Sequence, residues 1–199
     1  MRHYSLIIPV VFMIAGCSSA TTPPIHEYTI YTPSQLSQKV QKTSPKILRL
    51  SATRSIPSLE SKQLSYLRSS GESGTYLYTR WSDTPSLLIE RSLYRSLTEK
   101  GLFSTILSPT SSSTADFVLE SDLHAFYHHF EDAQPSKGVI DITYRLIDTK
   151  SKLPFASKHF LITKDAPSED AIGGVKALSE ATNELTQLCT QWIEERTKE

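Results

Sequence analysis

Two stretches of two-residue alternation limit the folds open to this chain. In residues 116–130, Phe117, Leu119, Leu123, Ala125 and Tyr127 share the odd positions, while Asp116, Glu120, Asp122, His124 and His128 share the even ones. In residues 139–148, Ile140, Ile142, Tyr144 and Leu146 alternate with Asp141, Thr143 and Arg145. Successive strand side chains point to opposite faces, so each stretch has one apolar and one polar side. A sheet that is wet on one face is antiparallel in character, because parallel sheets are covered on both faces and read as continuous apolar runs. Residues 153–163, with Phe155, Phe160 and Ile162, extend the pair into a meander. The dry face of such a sheet needs a second layer.

Two amphipathic segments can supply that layer. Thr84-Pro85 reads as an N-cap followed by proline at the first helical position. At 100° per residue, Leu87, Ile89, Leu93, Tyr94 and Leu97 then fall on one face, with Leu88, Arg91, Arg95 and Glu99 pointing away. Gly101 ends this helix as a C-cap. The second helix is read as capped by Ser168, with Glu169 and Asp170 in its first turn where they suit the dipole. Its broad apolar face runs through Ile172, Val175, Leu178, Leu185, Cys189, Trp192 and Ile193, with Gly173-Gly174 allowing a later start. Earlier strands are expected at Tyr28–Tyr31 and Lys46–Thr53. A hairpin joins Gln63–Arg68 to Thr75–Trp81 across a Gly/Ser turn, and Leu102–Leu107 follows the first helix. Pro33 to Pro45 is polar, without periodicity, and reads as a loop. The order predicts one α+β domain, a mostly antiparallel sheet with two amphipathic helices packed on one face.

The N-terminus fixes where such a domain resides. Met1-Arg2-His3 is a short basic start, Leu6 to Ala15 is apolar apart from Pro9, and Gly16-Cys17 follows. These are the marks of a secretory signal, and the stretch is too short to span a bilayer, which takes roughly 20 apolar residues. Ile14-Ala15-Gly16-Cys17 resembles a lipobox, the site at which a diacylglycerol is attached to the cysteine thiol before cleavage. The expected organisation is a signal peptide at 1–16, a lipidated N-terminus and tether at 17–27, and the folded domain at 28–199. Acylation of Cys17 makes membrane lipid a partner without a spanning helix. Ser18 after the cysteine, in place of Asp, favours the outer membrane with the domain facing the periplasm. The mature chain of 183 residues is the size of one domain; the full chain has a formal net charge of +0 with basic residues scattered, so no nucleic-acid partner is expected. Cys189 is the other cysteine of the chain and reads as a small buried hydrophobe.

A search for chemistry finds no phosphate-binding loop, no zinc-protease motif, no paired cysteines at metal spacing and no nucleophile elbow. His124, His128 and His129 lie near Asp122 and Glu131. On a regular strand, however, His124 and His128 would be about 13 Å apart on one face, too far to share a zinc unless the strand bulges. No catalytic residue, no metal site and no cofactor are expected, and the chain is read as a non-enzyme. Tyr66, Tyr76, Tyr78 and Trp81 form an aromatic group beside the first helix. It is either core packing and strand pairing or a surface for lipid or a protein partner.

The order of parts resembles the ABC-type transport auxiliary lipoproteins, the group that includes the PqiC-like lipoproteins accompanying MCE-type lipid transport. The resemblance rests on Cys17, Tyr28-Thr29-Ile30, the strand Ile47–Ala52, Tyr66, and Tyr78-x-x-Trp81-x-x-x-Pro85 leading into Leu87-Leu88. It continues through Gly101-Leu102-Phe103, Ala115-Asp116-Phe117-Val118-Leu119, Tyr144-Arg145-Leu146-Ile147-Asp148 and the helix Ala177–Trp192. It implies an auxiliary component of an ABC/MCE-type lipid transport system. The implied partners are an MCE-domain substrate-binding subunit and its ABC transporter, and a homo-oligomer is possible by analogy. The alternative is a structural envelope lipoprotein in outer-membrane or secretion-apparatus assembly.

Overall fold

The computed structural model describes residues 23–31, 44–132 and 135–197. The signal segment 1–16, Cys17, the first part of the tether and most of the polar 33–45 stretch lie outside the described residues. In chain order the elements are β1 (His26–Tyr28), β2 (Ile47–Leu50), β3 (Arg54–Ser55), a 3-10 turn (Pro57–Leu59), β4 (Gln63–Arg68), β5 (Ser73–Trp81) and α1 (Pro85–Lys100). Then follow β6 (Thr105–Leu107), β7 (Phe117–Phe130), β8 (Lys137–Asp148), β9 (Leu153–Asp165) and α2 (Ala171–Thr197).

The long alternating strands form the expected meander: β7 pairs antiparallel with β8 along its length, and β8 with β9. The other edge of β7 is taken up end to end by three short strands, β2 at Phe117–Leu119, β3 at Asp122–Leu123 and β4 at His128–Phe130, all parallel to it. β6 extends β2 in parallel, β5 pairs antiparallel with β4, and β1 lies parallel on β5. The sheet is therefore mixed, which corrects the mostly antiparallel expectation. Parallel pairing joins segments far apart in the chain, Leu48 to Phe117 for example, through crossovers such as α1. Local alternation carries no trace of such partners.

Both helices pack against the sheet's apolar face in one core. From α1 it takes Leu88, Ile89, Leu93 and Leu97, and from α2 Val175, Leu178, Leu185, Cys189, Trp192 and Ile193. They close over Leu123, Phe126, Ile140, Ile142, Tyr144, Leu146, Phe160 and Ile162. Pro85 opens α1 and Gly101 closes it in the left-handed conformation, as expected, but the buried face is rotated. Leu88 is buried, while Leu87 and Tyr94 are exposed. Small hydroxyls explain the rotation: Ser92 is buried, and Ser96 Oγ meets Thr190 Oγ1 at 2.8 Å between the helices. α2 begins before its glycines, and its cap is Asp170, whose Oδ1 accepts from the Gly173 N–H at 2.8 Å while Ser168 Oγ donates to it. At Gly138 a Cβ would sit 2.7 Å from the backbone of Ala177 and Leu178, so the missing side chain sets how closely α2 approaches β8.

Candidate docking surface

The four aromatic residues marked in the sequence divide between three environments. Trp81 is fully buried, edge-on to Phe126 at 5.6 Å, and so belongs to the core and not to a surface. Tyr66 and Tyr76 are half-buried, edge to face at 5.5 Å, and join Phe130 and His128 in a cluster that spacing alone had not grouped. The Arg68 guanidinium lies over the Phe130 ring at 5.1 Å and the Tyr66 ring at 5.7 Å. Tyr78 alone of the four is exposed, beside Leu77, which is 80% exposed.

A bulge in β5 produces this division. Gln63 pairs with Arg80 and Ser65 with Thr75, so β5 uses five residue steps where β4 uses two. Extra residues in one strand bend it and re-aim its side chains. Tyr76 turns inward, with its hydroxyl 2.8 Å from His128 Nδ1, while Leu77 and Tyr78 turn out to solvent.

His128 has no exposed surface, and its Nε2 has no partner among the described residues. Burial holds its imidazole down at about 4, against the pull of the Asp170 carboxylate. Burial likewise pushes the Tyr76 phenol up to about 12. Gly174 covers the imidazole: a Cβ there would lie 2.7 Å from Nδ1. A second bulge, between Leu123 and Ala125 of β7, separates His128 from His124. His124 stays on the wet face while His128 enters the core, so they do not share a face as regular alternation predicts. Among the described residues no group of three or more His, Cys, Asp or Glu side chains could hold a metal ion.

The wet face of β7–β9 carries a polar network. Asp122 accepts from Arg54 at 2.6 Å and from Arg145, and the Arg54 hydrogen bond is the main cause that holds its carboxyl near 2. His159 Nε2 lies 2.7 Å from Asp141 Oδ1, and Phe155 and Leu161 are exposed on the same strand, β9. Under α1 a cavity of about 460 Å³ opens between Ala52–Ser55 and Thr84–Glu90. Burial raises the Glu90 carboxyl there, opposed by a hydrogen bond from the Thr53 backbone. Cys189 is buried among core side chains, which pushes its thiol well above the ordinary range and makes it inert.

The model of the ABC-type transport auxiliary lipoprotein component family matches residues 28–188. The chain belongs to this family. The match takes in β2 to β9, the last residue of β1 and α2 as far as Leu188, so most of the α+β domain described above is the family's domain. Among solved structures the chain is similar to protein XCC0632 from Xanthomonas campestris, of family DUF330, at 16% identity and a TM-score of 0.76, covering 88% of this chain and 97% of that one. An uncharacterized protein matches at 12% identity and a TM-score of 0.65, covering 86% and 99%. The hypothetical protein CT253 from Chlamydia trachomatis matches at 9% identity and 0.53, covering 76% and 96%. At these identities the likeness establishes the fold alone. Comparison with curated proteins finds no match. As a member of the family, the chain is an envelope lipoprotein auxiliary to ABC-type transport.

Proposed function

We propose that this protein is the auxiliary component of an ABC/MCE-type lipid transport system. In this reading acylated Cys17 holds it on the outer membrane facing the periplasm, and it docks an MCE-domain substrate-binding subunit whose ABC transporter lies in the inner membrane. The observation that carries the reading is the family match over 28–188, which takes in most of the folded domain. The protein contributes binding surface and no chemistry of its own. In support, the strongly shifted groups each have a structural cause: Asp122 its two arginines, His128 and Cys189 their burial. Perturbed groups gathered in a cleft would instead point to a catalytic site. Photo-crosslinkers at exposed Leu161 and Phe155, in cells, are expected to capture the MCE subunit. Failure to recover such a subunit from any exposed position of the domain overturns the reading.

A further inference from the structure

The N-terminal strand determines which side of the domain meets the anchor. β1 lies parallel to β5, with His26 opposite Thr79 and Tyr28 opposite Trp81. Ile25 directly precedes His26, and Leu77-Tyr78 directly precede Thr79, so the three sit at the same end of the paired strands, the end at which the chain continues toward Cys17. The β5 bulge turns Leu77 and Tyr78 outward, and all three are exposed: Leu77 is 80% exposed, Ile25 56% and Tyr78 43%. The run Thr75-Tyr76-Leu77-Tyr78-Thr79 carries no charge, nor does Pro23-Pro24-Ile25. The nearest charges on these strands are paired with each other, Arg80 with Glu27 at 3.0 Å.

We propose that Ile25, Leu77 and Tyr78 form a foot that seats the domain on the bilayer interface. Nine residue steps separate Cys17 from His26, a reach of at most about 30 Å when fully extended. The edge formed by β1 and β5 is thus confined near the membrane that holds the lipid, and the occupant within reach of its apolar residues is the lipid interface. Tyrosine suits that position, with an apolar ring and a polar tip. The foot orients the domain and leaves the wet face of β7–β9, a different surface, free for protein partners. This inference rests on lipid anchoring at Cys17.

The test uses the full lipidated chain in phosphatidylethanolamine–phosphatidylglycerol vesicles, with spin labels on L77C and, for comparison, on L161C. Both sites are exposed, and Cys189 is buried and does not label. Flotation of the vesicles reads the anchor separately from the labels. On reconstitution, collision of the 77 label with an aqueous nickel complex is expected to fall severalfold and with oxygen to rise, while the 161 label stays water-like. A floated protein whose 77 label stays as wet as that at 161 overturns the foot and leaves the anchor standing. A protein that fails to float overturns both. A 77 label already shielded in the unlipidated Cys17→Ser chain, in buffer free of vesicles and detergent, means a second copy covers the site, and overturns the membrane seat.

Discussion

His128 makes the stability of this domain depend on pH in a way that one substitution can isolate. The folded state holds the imidazole neutral at about 4, against an ordinary value of 6.5. Between those values the unfolded chain binds a proton that the native core refuses, so stability falls as pH drops below 6.5 and the loss levels off near 4. Taking 4 and 6.5 as the two ends, linkage gives about 2 kcal/mol less stability at pH 4.5 than at pH 7 from this group alone. Other groups titrate close by. Asp122, Asp148 and Asp170 are depressed, so their contribution is lost at lower pH, as it falls through their folded values. Glu90 is raised and acts with the opposite sign, its contribution lost as pH rises. Comparing wild type with His128→Gln cancels them, because glutamine keeps a hydrogen-bonding group near Tyr76 but does not titrate. Urea unfolding followed by far-UV circular dichroism at pH 7 and 4.5 should show the wild type losing about 2 kcal/mol more than the variant over that interval. Equal losses in the two proteins would refute the assignment of the buried neutral imidazole.

Four further substitutions test the packing and the charge network. Gly138→Ala forces a methyl against the α2 backbone at Ala177–Leu178 and should cost about 1–3 kcal/mol in thermal or urea unfolding. Trp81→Ala empties a core site and should cost about 3–5 kcal/mol. Tyr78→Ala, three residues away and exposed, should change stability by less than about 0.5 kcal/mol. Asp122→Asn breaks the carboxylate bridge between Arg54 and Arg145. It should cost about 1–2 kcal/mol at neutral pH, less in high salt, with the difference from wild type vanishing as pH falls toward 2.

The long strands and the existence of both helices were legible because their signals are local. Alternation marks β7 and β8, and Thr84-Pro85 and Gly101 bracket α1. What escaped depends on partners distant in the chain. The parallel attachment of β2, β3 and β4 to β7 leaves no periodic trace, and neither do the two bulges. The β7 bulge moves His128 from the polar pattern into the core, and the β5 bulge separates Tyr78 from Tyr76. The rotated face of α1 was hidden because Ser92 and Ser96 pack against α2 although they read as polar, while Tyr94 reads as apolar and is exposed. Trp81 could be placed by its size, since so large a ring between two hydrophobic segments is ordinarily buried. Its neighbours Tyr66 and Tyr76 were grouped with it by chain proximity, but in space they gather around His128 and Phe130.

The proposed lipid anchor at Cys17 underlies both the transport reading and the membrane foot, and the modification can be weighed directly. Intact-mass spectrometry of the protein extracted from cell membranes should give a chain beginning at Cys17, heavier than its polypeptide by a diacylglycerol and a fatty-acyl group. A chain that retains residues 1–16, or one that begins at Cys17 without added lipid, would contradict the account.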